Sequence, residues 1–240
     1  MSSRTEELHN AMVNDDLPLF EELLTPENVN FVDAERRMTL LMLAVSLRRH
    51  SFAELLLDHG ASLYPQDMFH FNVVHYAAWC ADVKMMEILL FPSPNITGKG
   101  MESMSLGNYS RTGLRFRPGT RTLVDLPHSY SGRTPLMLAS MRGDASMVDF
   151  LVTKAGADIC LKDSEGNTAM DLAANCGHKA VVTFFLSKCN DKTDLMFDSA
   201  RRRAEDNCER AMTTKQLEEL RELNAILCRD WLPQSFVGFS

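Results

Sequence analysis

Four seven-residue strings are variants of one another: TLLMLAV from Thr39, NVVHYAA from Asn72, TPLMLAS from Thr134 and TAMDLAA from Thr168. They begin 33, 62 and 34 residues apart, so three copies share a period and one interval carries about 29 residues more. A period of this length marks a chain built from repeated supersecondary units, none of which can bury its apolar face alone. One further step of 33 back from Thr39 reaches Glu6, where ELHNAM is a degenerate first copy without its Thr.

With Glu6, Thr39, Asn72, Thr134 and Thr168 as offset zero, the residue five later is Ala11, Ala44, Ala77, Ala139 and Ala173. Offset two holds Leu8, Leu41, Val74, Leu136 and Met170, and offset thirteen Leu19, Phe52, Met85, Met147 and Val181. Offset seventeen holds Leu23, Leu56, Leu89, Leu151 and Phe185. Apolar residues three and four apart on either side of a break predict two short helices per copy. The break falls near offset nine, where Gly143 and Gly177 suit a left-handed turn. The Ala row lets neighbouring helices approach closely, and Thr39, Thr134 and Thr168 stand where a hydroxyl caps the first helix, for about 1 kcal/mol each.

This pattern resembles the ankyrin repeat family. Asp163 to Val182 (DSEGNTAMDLAANCGHKAVV) carries the fullest match, and Leu55 to Ser62 (LLLDHGAS) and Phe150 to Asp158 (FLVTKAGAD) match the end of the unit. The resemblance implies an all-α ankyrin-repeat solenoid of stacked helix-turn-helix units with hairpin loops. It would span 1–191 as five copies, the first acting as a cap, interrupted by a long loop at 92–131. The family's His in the TPLH position survives only as His9 and His75; Met42, Met137 and Asp171 replace it, which predicts weaker Thr to His bonding in those copies.

In that architecture hairpin tips and the outer side of the first helix form a concave binding face. Copy two then presents Glu35, Arg36, Met38, Ser46 and Leu47, and copy three Met68, Phe69, Phe71, Trp79 and Cys80. Copy four adds Tyr130, Ser131, Arg133, Met141 and Arg142, and copy five the polar set Ser164, Glu165, Asn167, Asn175 and Cys176. Aromatic, Met and Arg side chains are the types enriched at protein interfaces. The expected partner-binding set is therefore Met38, Met68, Phe69, Phe71, Trp79, Tyr130, Arg133, Met141 and Arg142. The competing expectation is that the insertion covers the aromatic patch internally.

The insertion is rich in Gly, Ser, Thr and Pro, with little periodicity, so no long ordered element is expected there. Loops beyond about 15 residues are usually functional or disordered. From Pro92 to Arg133 six cations face two carboxylates, a net +4 in a chain whose total is −7. A basic arm of Arg111, Arg115, Arg117 and Arg121 suits an acidic partner or, with Phe116, RNA; it equally suits a solvated arm or one folded against the acidic first copy. Net acidity, with a pI near 5.5, argues against general nucleic-acid binding.

Beyond the repeats, 192–232 reads as a helical segment. Thr213-Thr-Lys-Gln216 opens a helix striped with Leu217, Leu220, Leu227 and Trp231. It suits a cap on the open end of the stack or a partner-binding helix. Leu227-Cys-Arg229 resembles a cullin-recruiting box, but Asn224 stands where that box has Leu.

No nucleophile elbow, zincin, phosphate-loop or dinucleotide motif is present in the sequence, and the six cysteines lack zinc or redox spacing. Cys176-Gly-His178 reads more simply as a turn of the repeat than as a catalytic pair. Together these expectations describe a non-catalytic protein-interaction module with no cofactor, no metal, no small-molecule substrate and no membrane span, in the cytoplasm or nucleus. The polar, acidic first 16 residues do not read as a leader, and Asn95 and Asn108 are then idle glycosylation patterns. The classes left open are an adaptor or inhibitor in transcriptional signalling or a nuclear transcription cofactor, a ubiquitin-ligase substrate receptor, and a scaffold at membrane or cytoskeleton.

Overall fold

The computed structural model describes residues 2–91, 120–189 and Leu223. Arg111, Arg115, Arg117 and the helical segment expected at 192–232, Leu223 apart, lie outside these. Leu223 is helical and buried in the shared core.

Among the described residues of 2–189, ten α-helices pair as the offsets predict. Copy one is α1 (Ser2–Val13) and α2 (Leu17–Leu23), copy two α3 (Leu40–Ser46) and α4 (His50–Asp58), and copy three α5 (Val73–Cys80) and α6 (Val83–Leu90). Copy four is α7 (Pro135–Arg142) and α8 (Ala145–Asp149), and copy five α9 (Ala169–Asn175) and α10 (Lys179–Cys189). No strand occurs among the described residues, only one isolated bridge between Val32 and Thr39. None of their helices is long and apolar enough to cross a membrane.

First helices stack in the order α3, α5, α7, α9, and second helices flank them. Every alanine of the offset-five row is buried, as is every residue at offset two. With no Cγ at the Ala row, adjacent first helices come close enough to exclude water, and each fully buried Leu, Met or Phe beside it contributes about 1.5–3 kcal/mol. The second-helix rows need one correction. In copy one Leu19 is 41% exposed, while Phe20 and Leu24, one position later, are buried. Phe20 instead faces copy two, where it meets Phe52 at offset thirteen edge-on at 5.0 Å.

Caps follow the sequence closely. The Met42, Met137 and Asp171 N–H groups donate to Thr39, Thr134 and Thr168 Oγ1 at 3.2, 3.4 and 3.3 Å. Asn72 does the same for copy three, accepting from Val74 and His75. Asp171 does not leave copy five weaker in this respect: its Oδ2 accepts from both the N–H and the hydroxyl of Thr168, at 3.0 and 2.7 Å.

Offset nine is left-handed in all five copies, as Asp15, Arg48, Ala81, Gly143 and Gly177. At offset ten, Asp16, Asp82 and Asp144 each cap the second helix by accepting from a backbone N–H. Arg49 and His178 at the same offset instead reach back to the previous copy, donating to the carbonyls of Val13 and Met141. Either way an orphan group of a helix end is satisfied.

The step of 34 also has a structural cause. The left-handed glycine closing the second helix is Gly60 in copy two but falls one position later, at Gly156, in copy four. The extra residue is absorbed by a π-helical segment, Phe150–Ala155, that continues α8. Such segments are how a helix takes in one residue without breaking.

Candidate partner-binding surface

Each hairpin preceding a first helix is built on one polar residue. The Asp67 carboxylate accepts from the N–H groups of Phe69 and Phe71 at 3.0 and 2.7 Å and from the Tyr76 hydroxyl at 2.8 Å. Asp163 accepts from the N–H groups of Glu165 and Asn167. In copy four the place is taken by His128, whose N–H donates to Arg133 O at 2.8 Å and whose carbonyl accepts from Gly132. Gly132 is required there: its φ is +67°, and a Cβ would meet the Ser164 nitrogen at 2.9 Å.

Neighbouring tips are bonded to each other. The Met68 N–H donates to Arg36 O at 2.8 Å between copies two and three, and the Ser164 N–H to Ser131 O at 3.0 Å between copies four and five. Between copies three and four a side chain makes the link, as His128 Nε2 donates to Phe69 O at 2.6 Å. The same imidazole stacks on Phe71 with ring centroids 4.2 Å apart and planes 17° from parallel.

The segment 120–134 is thus part of the stack. Thr120–Leu123 forms a 3₁₀ turn, and Leu123 and Val124 are buried in the core. Arg121, expected in the basic arm, points its guanidinium at Asp125 and at Gly156 O, 3.1 Å away, where the π-helical segment ends. The expectation of an irregular loop up to residue 131 is corrected at this end. Val124-Asp125-Leu126 reproduces the hairpin lead seen at Val29-Asn30-Phe31, and Asp125 accepts from the Asp158 N–H as Asn30 does from Ser62. That likeness was the available signal for the missed His128.

The expected surface set divides in two. Trp79 is 1% exposed, and Phe71, Met38 and Met141 are buried with it, so these four are core rather than surface in the isolated chain. Arg142, exposed, holds its guanidinium 5.8 Å from the Trp79 ring and covers it. The Met38 sulfur lies 3.5 Å from the Tyr76 hydroxyl. Arg133 is buried too, 3.6 Å from Asp163. Left outside are Tyr130, 72% exposed, and Met68, 47% exposed, with Phe69, next to Met68 in the chain, half-buried. Tyr130 meets the edge of His70 at 4.7 Å.

Burial governs the titrating groups here. It pushes the His75 imidazole down to about 3 and the His128 imidazole below the ordinary histidine value. It raises the Asp67 carboxyl and the Tyr76 hydroxyl, which share a proton-bearing contact. The Asn72 N–H donates to His75 Nδ1 at 3.4 Å and the His75 N–H to Asn72 Oδ1 at 3.1 Å, closing the capping box of α5, so His75 is a structural histidine. His178 is likewise engaged, 2.8 Å from Met141 O, and Cys176 beside it ends α9.

The family model for ankyrin repeats, in three copies, matches residues 8–99 and 116–195. The chain belongs to the ankyrin-repeat family. Ankyrin repeats bind other proteins and are generally not catalytic. Among curated relatives, protein glp-1 of Caenorhabditis elegans is 26% identical, over 81% of this chain and 14% of the relative. The probable 26S proteasome regulatory subunit p28 of Saccharomyces cerevisiae is 27% identical, over 62% of this chain and 52% of the relative. The potassium channel GORK of Arabidopsis thaliana is 34% identical, over 35% and 10%. This ankyrin chain therefore spans between 10% and 52% of the lengths of these relatives.

Proposed function

We propose that this ankyrin-repeat chain is a non-catalytic adaptor or regulatory inhibitor that holds a partner protein against the hairpin tips of copies two to four. Met68, Phe69 and Tyr130 form the apolar centre of that surface, and Arg36 and Arg142 lie toward its edges. The observation that carries the reading is the pairing of two exposed, interface-type side chains, Met68 and Tyr130, on adjacent tips held by the His128 bond. An exposed Met or Tyr side chain on a hydrogen-bonded tip suits an interface anchor, because the backbone beneath it loses little further order on binding. Trp79 and Phe71 act beneath it as support.

The reading extends to a cytoplasmic or nuclear setting, supported by cysteines without zinc or disulfide-framework spacing. A second reading, a substrate receptor of a ubiquitin ligase, draws on the resemblance to a proteasome subunit and on Leu227-Cys-Arg229.

A photo-crosslinking residue at Tyr130 or Met68, compared with one at exposed Leu19, tests the surface. The expected result is one specific crosslinked partner from the tip positions, lost on Met68→Ala with Tyr130→Ala, at unchanged thermal unfolding. Equal crosslinking from Leu19, or capture that survives the double variant, overturns it. Removing residues 192–240 separates the two readings, since only a ligase receptor then loses a cullin adaptor.

A further inference from the structure

We propose that the joint between copies three and four is a proton-operated latch, in which neutral His128 clips segment 120–134 onto copy three and protonated His128 releases it. Both ring nitrogens are committed to the neutral form. Phe69 O can only accept, so Nε2 carries the proton at 2.6 Å. Nδ1 is then the acceptor, taking the Ser131 N–H at 3.2 Å with the Ser131 hydroxyl at 2.8 Å. A second proton must go to Nδ1, where it opposes the Ser131 N–H it had accepted from and leaves only the Ser131 hydroxyl, which has to turn to accept. It also places a cation in a buried ring stacked on Phe71.

The groups around the ring reinforce this. Copy three presents Asp67 and His70 from its hairpin and His75 and Tyr76 from α5; the His75 ring lies 6.5 Å away. Copy four presents Tyr130, 5.9 Å away, and the Arg133 cation. Of these groups Asp67 is the sole carboxylate, and it is already engaged by two N–H groups and the Tyr76 hydroxyl. Among the described residues, the tip links of copies two to three and four to five run from the Met68 and Ser164 N–H groups and the Ser164 hydroxyl to carbonyls, and the other imidazole at a tip, His70, meets Tyr130 within this same joint. Acid therefore opens this joint selectively. The latch does not require that the tips bind a partner.

Amide hydrogen exchange of the intact chain, with intrinsic rates corrected for pH, reads the latch directly. Between about pH 7.5 and about pH 5, protection of 123–134 is expected to fall by at least about tenfold, while 40–58 keeps its protection. His128→Gln keeps a neutral donor toward Phe69 O and is expected to flatten that profile. Protection of 123–134 within twofold at both pH values overturns the proposal, as does equal loss in copy two or a wild-type profile in His128→Gln. Should His128→Gln fail to fold by circular dichroism, the His128 ring is followed by NMR in the wild type. Titration in step with loss of protection then supports the latch, and titration at the ordinary value without such loss overturns it.

Discussion

The joint between copies four and five keeps a backbone tip bond beside its side-chain links, the buried Arg133–Asp163 pair among them, whereas in the joint between copies three and four a side chain replaces that bond. In the first, the Ser164 N–H and hydroxyl both donate to Ser131 O, and the His178 ring closes the end of α7. In the second, His128 stands in for the backbone tip bond, Arg142 covers Trp79, Lys154 reaches Glu87 at 2.8 Å, and Phe91 meets Phe150 at 6.2 Å. The difference falls where the insertion enters. Covalent continuity no longer delivers the next hairpin in register there, so side chains with area and charge hold copy four on copy three.

The largest effect is expected at Trp79. Replacing this fully buried indole with Ala costs about 3–5 kcal/mol, and is expected to exceed the cost of Met141→Ala, within about 2–5 kcal/mol, at the same offset one copy later because more side chain is removed. Urea unfolding of the two variants checks the order, and equal costs would remove the contrast between the joints.

Next comes offset nine. Gly143→Ala puts a Cβ 2.3 Å from the His178 ring at a φ of +80°, while Ala81 holds the equivalent left-handed position in copy three. Gly143→Ala is expected to destabilise by about 2 kcal/mol, and Ala81→Gly to change stability by less than about 1 kcal/mol, in the stabilising direction. Thermal melts of the pair decide whether the cross-copy histidine or the φ alone sets the cost.

His128→Ala is expected to cost about 1–2 kcal/mol at neutral pH, less than Trp79→Ala and no more than Gly143→Ala. Its pH dependence is more diagnostic. Because the folded imidazoles of His75 and His128 lie below the unfolded value near 6.5, the unfolded chain binds the extra protons. Their contribution is therefore present above about pH 6.5 and is lost as pH falls toward the folded values, by up to about 1.4 kcal/mol per unit for each group. Asp67, raised in the fold, works in the opposite sense over its own range. Denaturation of wild type and His128→Ala at stepped pH should show a shallower acid slope in the variant. The smallest effect belongs to Tyr130→Ala, within about 0.5 kcal/mol in the same assay, because the ring is mostly in water.

The stack was legible in the sequence because its determinants are local and periodic. The five alanines, the Thr and Asn caps and the left-handed offset nine all stand where the period puts them. The surface was legible only in part. Offsets seven and eight are outer positions in a generic copy, but Trp79 and Met141 are large enough to be covered by the next copy, and Arg142 completes that cover. Which outer residue becomes core depends on the neighbour's side chains, and no single-copy pattern carries that. His128 was hidden for another reason. It stands where copy two has Asp33, one position earlier than Asp67 and Asp163 in their copies, at the end of a stretch whose composition reads as loop. The charge arithmetic misled at Arg121, whose guanidinium is engaged with Asp125 and a helix end rather than with a partner.

The central claim is that the tips of copies three and four present Met68 and Tyr130 while Trp79, Phe71, Met38 and Met141 lie beneath. Hydroxyl-radical footprinting of the intact chain measures this side chain by side chain. After correction for intrinsic reactivity, Met68 and Tyr130 should be modified at least about tenfold faster than Trp79, Met38 and Met141, in line with their exposures of 47% and 72% against 2% or less. Modification of Trp79 at the rate of Met68 would contradict the account, because the indole would then belong to an open face.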